Sequence, residues 1–197
     1  MSSVFDVILD RDGILNVDAG YTYRLMDCVL TKRAAKALGL LRDVGARFSI
    51  ATGQSGIAKG LYTEADMEAF NVTLQAKLIF GGIAFAAVAF CPHHPAVSDC
   101  ECRKPKLGML RQIEDKIGPI DWAKAWGIGD KPSDAEMILA QGGRSVLVRS
   151  GQHNNTTGKS YWDEQDPALK DLLSNPRNFV AGSLEEAAQL IVKEIKE

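Results

Sequence analysis

Val7-Ile8-Leu9-Asp10-Arg11-Asp12-Gly13 is an apolar run that stops on two carboxylates one residue apart and then reaches a glycine. Val4 to Leu9 is mostly branched and apolar, the composition of a buried parallel strand, and parallel α/β sheets carry their chemistry where such strands end. Asp10 and Asp12 fall there. In extended backbone, residues two apart share a side, so the two carboxylates can face one substrate or one cation. Gly13 lets the chain turn sharply beside them. A lone Asp-x-Asp is more often a solvated strand end followed by a turn, so the partners downstream decide its meaning.

Outward from this stretch, strand and helix alternate. Ile14 to Cys28 is irregular and carries Asn16, Asp18, Gly20, Tyr21 and Tyr23, a segment placed to hang over the first strand's end. Ala34 to Val44 has apolar residues at helical spacing and stops at Gly45. Arg47 to Ala51 reads as a second strand running into Thr52-Gly53-Gln54-Ser55-Gly56, a hydroxyl and close-approaching N–H groups suited to an anion, though Gly-Ser loops are commonly just loops. Glu64 to Lys77 follows as a helix. Further strands are expected at Ile83 to Phe90, Ala123 to Ile128, Ser145 to Val148 and Phe179-Val180, and helices at Leu107 to Ile117, Asp134 to Gln141, Pro167 to Leu173 and Leu184 to Ile195. The alternation predicts an α/β fold of three layers, Rossmann-like, with a mostly parallel central sheet. The gaps are too short for a separate cap domain, so residues 1–197 are expected to form one domain with open loops at its mouth.

Composition narrows the partners. Twenty-three basic against 25 acidic residues give a net charge of −2, which leaves no broad electropositive footprint for a nucleic-acid backbone. No basic stretch precedes the first apolar run, and Asp6 interrupts it, unlike a secretory signal. The apolar part of the longest uncharged stretch, Ile79 to Cys91, falls short of the roughly 18 residues of a membrane span. The expectation is a soluble cytoplasmic monomer. In a reducing compartment the four cysteines are not a disulfide framework, and three of them crowd into residues 91 to 102.

Three strands end in chemistry-bearing residues: Asp10 and Asp12, Thr52, and Asp130 after Gly129. A parallel sheet gathers such ends along one edge. Arg103-Lys104-Pro105 adds two cations before a helix. Carboxylates that hold a divalent cation, with a hydroxyl and a lysine that hold an anion, make a phosphoryl-transfer site. The slowest phosphate monoester hydrolyses need up to about 10²¹-fold acceleration, roughly 28 kcal/mol, of which general acid–base catalysis supplies only about 10² to 10⁴. Positioning, charge neutralisation and a covalent intermediate must carry the rest.

Leu9-Asp-Arg-Asp-Gly, Thr52 after a strand, Lys104 and Gly129-Asp130 resemble the four motifs of the haloacid dehalogenase-like phosphatases. More narrowly, Asp-Arg-Asp-Gly, Gln54-Ser-Gly-Ile-Ala-Lys-Gly60, Cys91-Pro-His-His-Pro95 and Cys100-Glu-Cys-Arg-Lys-Pro105 resemble the heptose bisphosphate phosphatase branch of that family. The likeness runs from about residue 5 to 150. It implies an enzyme that removes the 7-phosphate of a heptose 1,7-bisphosphate in lipopolysaccharide precursor synthesis, with Mg²⁺ as cofactor. By the same resemblance Asp10 is the nucleophile and Asp12 the acid–base. Mg²⁺ is held by Asp10, the Asp12 carbonyl and Asp130, while Thr52 and Lys104 bind the phosphoryl group. Asp18, Gly20, Tyr21, Gly53, Gln54, Ser55, Arg103 and Lys131 contact the substrate, a small phosphorylated sugar. Lys131 is equally well read as a solvated lysine at a helix start. One position departs from the family pattern: Asn usually follows the motif threonine, and here it is Gly53, which removes a side-chain hydrogen bond worth about 0.5 to 1.5 kcal/mol.

Cys91, His93, Cys100 and Cys102 offer three thiolates and an imidazole within twelve residues, a donor set for tetrahedral Zn²⁺, with His94 as the rival imidazole. The resemblance selects His93. A zinc-stapled loop over residues 91–102 would fix Arg103 and Lys104, which follow it directly. Its shortness resembles the histidinol-phosphate phosphatases, the alternative substrate class, and a sugar-phosphate binder with impaired catalysis is a third reading. Cys28 stands apart as a small apolar residue. The polar loop from Arg149 to Asp163 reads as surface, with Arg149, His153 and Lys159 able to reach a substrate's distal end.

Overall fold

A computed structural model describes residues 4–149, 162–163 and 165–197. The elements run β1 (Phe5–Leu9), α1 (Ala34–Arg42), β2 (Ala46–Gly53), α2 (Glu64–Ile79), β3 (Phe85–Cys91), α3 (Gly108–Ile117), β4 (Trp126–Gly129), α4 (Pro132–Ala140), β5 (Arg144–Val148), α5 (Pro167–Ser174), β6 (Asn178–Ala181) and α6 (Leu184–Lys196), with a single 3-10 turn at Leu25–Asp27. The strands form one sheet in the order β3-β2-β1-β4-β5-β6, and every pairing is parallel. The order reverses beside β1, whose two neighbours are β2 and β4. In open α/β sheets the crevice outside the strand ends at such a switch point is where ligands bind.

Side-chain alternation splits the core into two layers. Val7 and Leu9 of β1 join Ile50, Trp126, Ile128 and Val146 under α1 and α6, while Ile8 of the same strand joins Ala51, Ala89, Met109, Ile113 and Ile138 under α3 and α4. The helices present matching stripes: α1 buries Ala34, Ala37, Leu38 and Leu41, spaced three and four apart. Helix starts carry their own stop signals. Thr63 and Asp66 form a reciprocal capping box at α2, and Ser183 accepts from the Glu186 N–H at α6.

Most boundaries move by one or two residues from the sequence expectation, and those of β3, β4 and α4 are instructive. β3 begins at Phe85 rather than Ile83, and it continues to Cys91, whose backbone pairs with Gly53. β4 begins at Trp126 rather than Ala123, because the N–H groups of Lys124 and Ala125 both turn back to the carbonyl of Asp121. α4 begins at Pro132, where a proline ring already holds the helical φ. Among the described residues no helix is long and apolar enough to cross a membrane. His153 and Lys159 lie outside the described residues, while Arg149 packs over the Trp162 ring.

Leu38 is fully buried between α1 and the sheet. Leu38→Ala is expected to lower stability by about 2 to 5 kcal/mol, read as a fall in the urea midpoint with an unchanged slope.

Candidate active site

Three strand ends and one loop converge at the switch point. Asp10 is the first residue past β1, and its N–H donates to the Ile128 carbonyl of β4 (2.9 Å), which ties the two strands together where their acids emerge. Lys104 reaches this point from the loop before α3. Its Nζ lies 2.7 Å from Asp10 Oδ1 and 2.5 Å from Asp134 Oδ1, and all three groups are buried. Asp130 follows β4 directly, and Lys131 Nζ stands 3.8 Å from its Oδ1. Asp10, Asp130 and Asp134 bring one carboxylate oxygen each within 4.8 Å of one another, a set able to hold a cation.

Two glycines make room for this cluster. Gly13 has φ +85°, and a Cβ there would run into the Asp130 carboxylate; a Cβ at Gly129 would run into Asp134. The turn after β1 therefore needs glycine for its backbone and for space at once.

Burial and charge set the protonation of the acids. Burial pushes the Asp10 carboxyl up, but Lys104 and Lys131 outweigh it and leave Asp10 below the usual range. Burial also raises Asp134, against the pull of Lys104 and with the Asp10 charge adding to the rise. For Asp130, burial and the Asp10 and Asp134 charges prevail over Lys131 and Lys104 and lift the group to about 7. The site thus holds one firmly ionised carboxylate beside two that resist ionisation unless more positive charge arrives.

Asp12 meets a different set of partners from Asp10. β1 ends at Leu9, so the strand itself does not run through the pair, and the Asp12 carboxylate is paired with Arg11. Asp12 Oδ1 accepts from Arg11 Nε (3.1 Å), Arg11 Nη2 (3.0 Å) and Asn16 Nδ2 (2.9 Å); Oδ2 accepts from Arg11 Nη2 (2.8 Å) and Gln54 Nε2 (2.9 Å). Arg11 is itself wholly buried, held by Asn71 Oδ1 (3.0 Å), the Thr22 carbonyl (2.8 Å) and the Phe70 ring.

The remaining expected residues ring this centre. Thr52 is buried at the end of β2, and Gln54 Nε2 donates to its Oγ1 (2.9 Å). Gly53 is exposed, and nothing lies within 4 Å of where a Cβ would sit. Asp18 accepts from the Gly20 N–H (2.8 Å), closing a tight turn that presents Tyr21, whose hydroxyl meets Lys59 Nζ at 2.5 Å. Ser55 is half-buried, and Arg103 is exposed with its guanidinium on the His93 carbonyl (3.4 Å). Gln54 differs from the others in that its side chain is enclosed by protein groups.

Cys91, His93, Cys100 and Cys102 meet beside this mouth. Cys91 Sγ is 3.6 Å from Cys100 Sγ and 3.8 Å from His93 Nδ1, which is 3.2 Å from Cys102 Sγ. A tetrahedral ion with metal–sulfur bonds of about 2.3 Å sets its ligands roughly 3.8 Å apart, and a disulfide requires about 2.05 Å. The four donors fit the ion. His94 turns its Nδ1 to the Ala96 N–H instead (3.2 Å). Burial raises the Cys91 and Cys102 thiols, while at Cys100 hydrogen bonds outweigh burial and lower the thiol.

Asp134 and Arg11 escaped the sequence reading. Asp134 sits four residues after Asp130 in the first turn of α4, where an acid is ordinary helix-start chemistry, so only the Gly-Asp-x-x-x-Asp spacing marks it. Arg11 lies between the two acids, and alternation points it away from them.

The sheet order, the acids after β1 and β4, the threonine ending β2 and the buried lysine define a phosphoryl-transfer enzyme of the α/β class. The family profile described as "HAD-hyrolase-like" matches residues 101–174. The chain is 36% identical over 177 residues to the D-glycero-beta-D-manno-heptose-1,7-bisphosphate 7-phosphatase of Yersinia pestis, covering 86% of this chain and 94% of that protein. It is 33% identical over 201 residues to the enzyme of the same name from Escherichia coli (strain K12), covering 98% and 97%. The crystal structure of D,D-heptose 1,7-bisphosphate phosphatase from B. bronchiseptica, complexed with magnesium and phosphate, superposes with a TM-score of 0.77 at 27% identity, covering 97% and 99%. The chain therefore belongs to the haloacid dehalogenase-like family, in the group that holds these heptose bisphosphate phosphatases, and it is a phosphatase.

An acid whose folded pKa is raised loses stability as pH climbs from its ordinary value, 3.8, to about 7, and the loss levels off above that. Asp130→Asn removes the burden. In metal-free protein it is expected to match the parent near pH 4 and to exceed it by on the order of 1 to 3 kcal/mol at pH 8 in chemical denaturation.

Proposed function

We propose that this phosphatase removes the 7-phosphate of D-glycero-D-manno-heptose 1,7-bisphosphate through an aspartyl-phosphate. The observation that carries the reading is Asp10, an ionised carboxylate at the switch point, held by Lys104 against Asp130 and Asp134. The named relatives supply the substrate.

In this reading an Asp10 carboxylate oxygen attacks phosphorus as the sugar oxygen leaves. Asp12 gives that oxygen its proton and then takes one from the water that cleaves the acyl phosphate. Lys104 and the Thr52 hydroxyl hold the equatorial oxygens as charge develops on them. Arg11 and Gln54 hold the Asp12 carboxyl by hydrogen bonds to its two oxygens. Gly53, Ser55, Tyr21 and Arg103 line the mouth that takes the sugar, and residues 1–197 work as one domain with loops in place of a cap.

Three buried acids, one of them lifted to about 7, fit a divalent cation. Asp10, the Asp12 carbonyl and Asp130 would hold Mg²⁺, with Asp134 positioned to join or orient them. When bound, it supplies the positive charge that lets a carboxylate approach a phosphate dianion. The second centre, Cys91, His93, Cys100 and Cys102, is assigned to Zn²⁺, which pins the loop carrying Arg103 and Lys104 to the end of β3.

Purified chain is expected to release phosphate from the heptose bisphosphate in the presence of Mg²⁺, faster than from histidinol phosphate, and Asp10→Asn to release none. Residual turnover in pure Asp10→Asn would remove the nucleophile from this scheme. Elemental analysis of protein prepared without chelator is expected to find about one zinc per chain, falling to none in Cys100→Ser/Cys102→Ser.

A further inference from the structure

Gln54 is buried, and each of its polar atoms is engaged by protein. Nε2 lies 2.9 Å from Asp12 Oδ2 and 2.9 Å from Thr52 Oγ1, and Oε1 accepts from the Tyr62 hydroxyl at 2.7 Å. With the Tyr62 hydroxyl donating to Oε1, the NH₂ faces Asp12 Oδ2, an oxygen that also accepts from Arg11. The two amide hydrogens then go one to Asp12 and one to Thr52. Thr52 Oγ1 accepts a hydrogen bond on that side, so its own O–H points elsewhere, free to donate.

Tyr62 is the lock. Its ring stacks on Tyr23 with centroids 4.8 Å apart and planes 16° apart, and the space for it exists because residue 56 is glycine: a Cβ there would run into the rings of Tyr62 and Tyr21. Burial pushes the phenol up to about 12, so it stays a donor.

We infer that Gln54, its amide fixed by Tyr62, is a positioning residue that aims two groups at once: the Asp12 carboxyl at the leaving oxygen and the Thr52 O–H at the phosphoryl group. This rests on the roles given to Asp12 and Thr52 above. An ordinary loop glutamine would contact substrate; this one acts through its neighbours.

The consequence separates by leaving group. A sugar alkoxide leaves only with a proton, whereas p-nitrophenolate leaves without one, so mispositioning Asp12 harms the first substrate more than the second. Mispositioning Thr52 harms both and appears in KM.

The test compares kcat and KM on heptose bisphosphate and on p-nitrophenyl phosphate for Gln54→Glu, Gln54→Met, Tyr62→Phe and Asp12→Asn. Gln54→Glu keeps the shape and loses both donated hydrogens. Its kcat is expected to fall on the sugar phosphate about tenfold further than on p-nitrophenyl phosphate, with KM raised on both. Gln54→Met is expected to follow it. Tyr62→Phe keeps the ring stack, secures a folded variant, and is expected to shift the same ratio by a smaller factor. Equal losses on the two substrates, or no loss on either, would overturn the inference. Asp12→Asn separates the layers. If it shows the leaving-group split and the Gln54 and Tyr62 variants do not, the positioning role falls alone; if it too lacks the split, the acid role falls and this inference with it.

Discussion

The ammonium of Lys104, buried between Asp10 and Asp134, is the constraint on which the site depends. Taking one cation and three carboxylates out of water is unfavourable, and removing one partner from such a pair leaves a buried charge uncompensated at roughly 3 to 5 kcal/mol. The surroundings answer this constraint in kind. The Asp10 N–H locks onto β4, Gly129 lets α4 approach, and the loop that carries Lys104 follows directly on the cluster of cysteine and histidine donors. The cation and the acids hold one another in a place where neither would rest alone.

The proposed scheme gives two acids two residues apart different work, and they meet different surroundings. Asp10 sees ammonium groups and two other carboxylates at the sheet edge. Asp12 sees a guanidinium, two side-chain amides and no second acid among its hydrogen-bond partners. The first environment suits a nucleophile that must stay ionised. The second is a directional cradle in which every donor has a fixed angle, suited to a group that moves a proton.

Much of this was legible in the sequence. The apolar run ending at Leu9, the strand ending at Thr52 and the Gly129-Asp130 pair located the three strand ends, and the alternation of strands and helices foretold the parallel sheet. The cysteine spacing showed the second cluster. What escaped were side chains whose position depends on tertiary contact. Arg11 reads as facing away from its neighbours until Phe70 and Asn71 of α2 fold over it. Tyr62 is one aromatic in a turn-rich stretch until Gly56 admits its ring. Asp134 looks like a helix-start acid until Lys104 arrives from thirty residues earlier. Periodicity reports which face a residue takes within its own element, and these three are defined by another element.

Gly53 offers a different lesson. It stands at the lip of the site, its backbone asks nothing of glycine, and the volume a side chain would fill is open. The groups beneath it, Asp10, Thr52 and Asp130, are buried, whereas this position is a socket. A Cβ added at residue 53 would enter open space and displace none of the buried groups below it, so in the proposed scheme this position can reshape the mouth while Asp10, Thr52 and Lys104 keep their contacts.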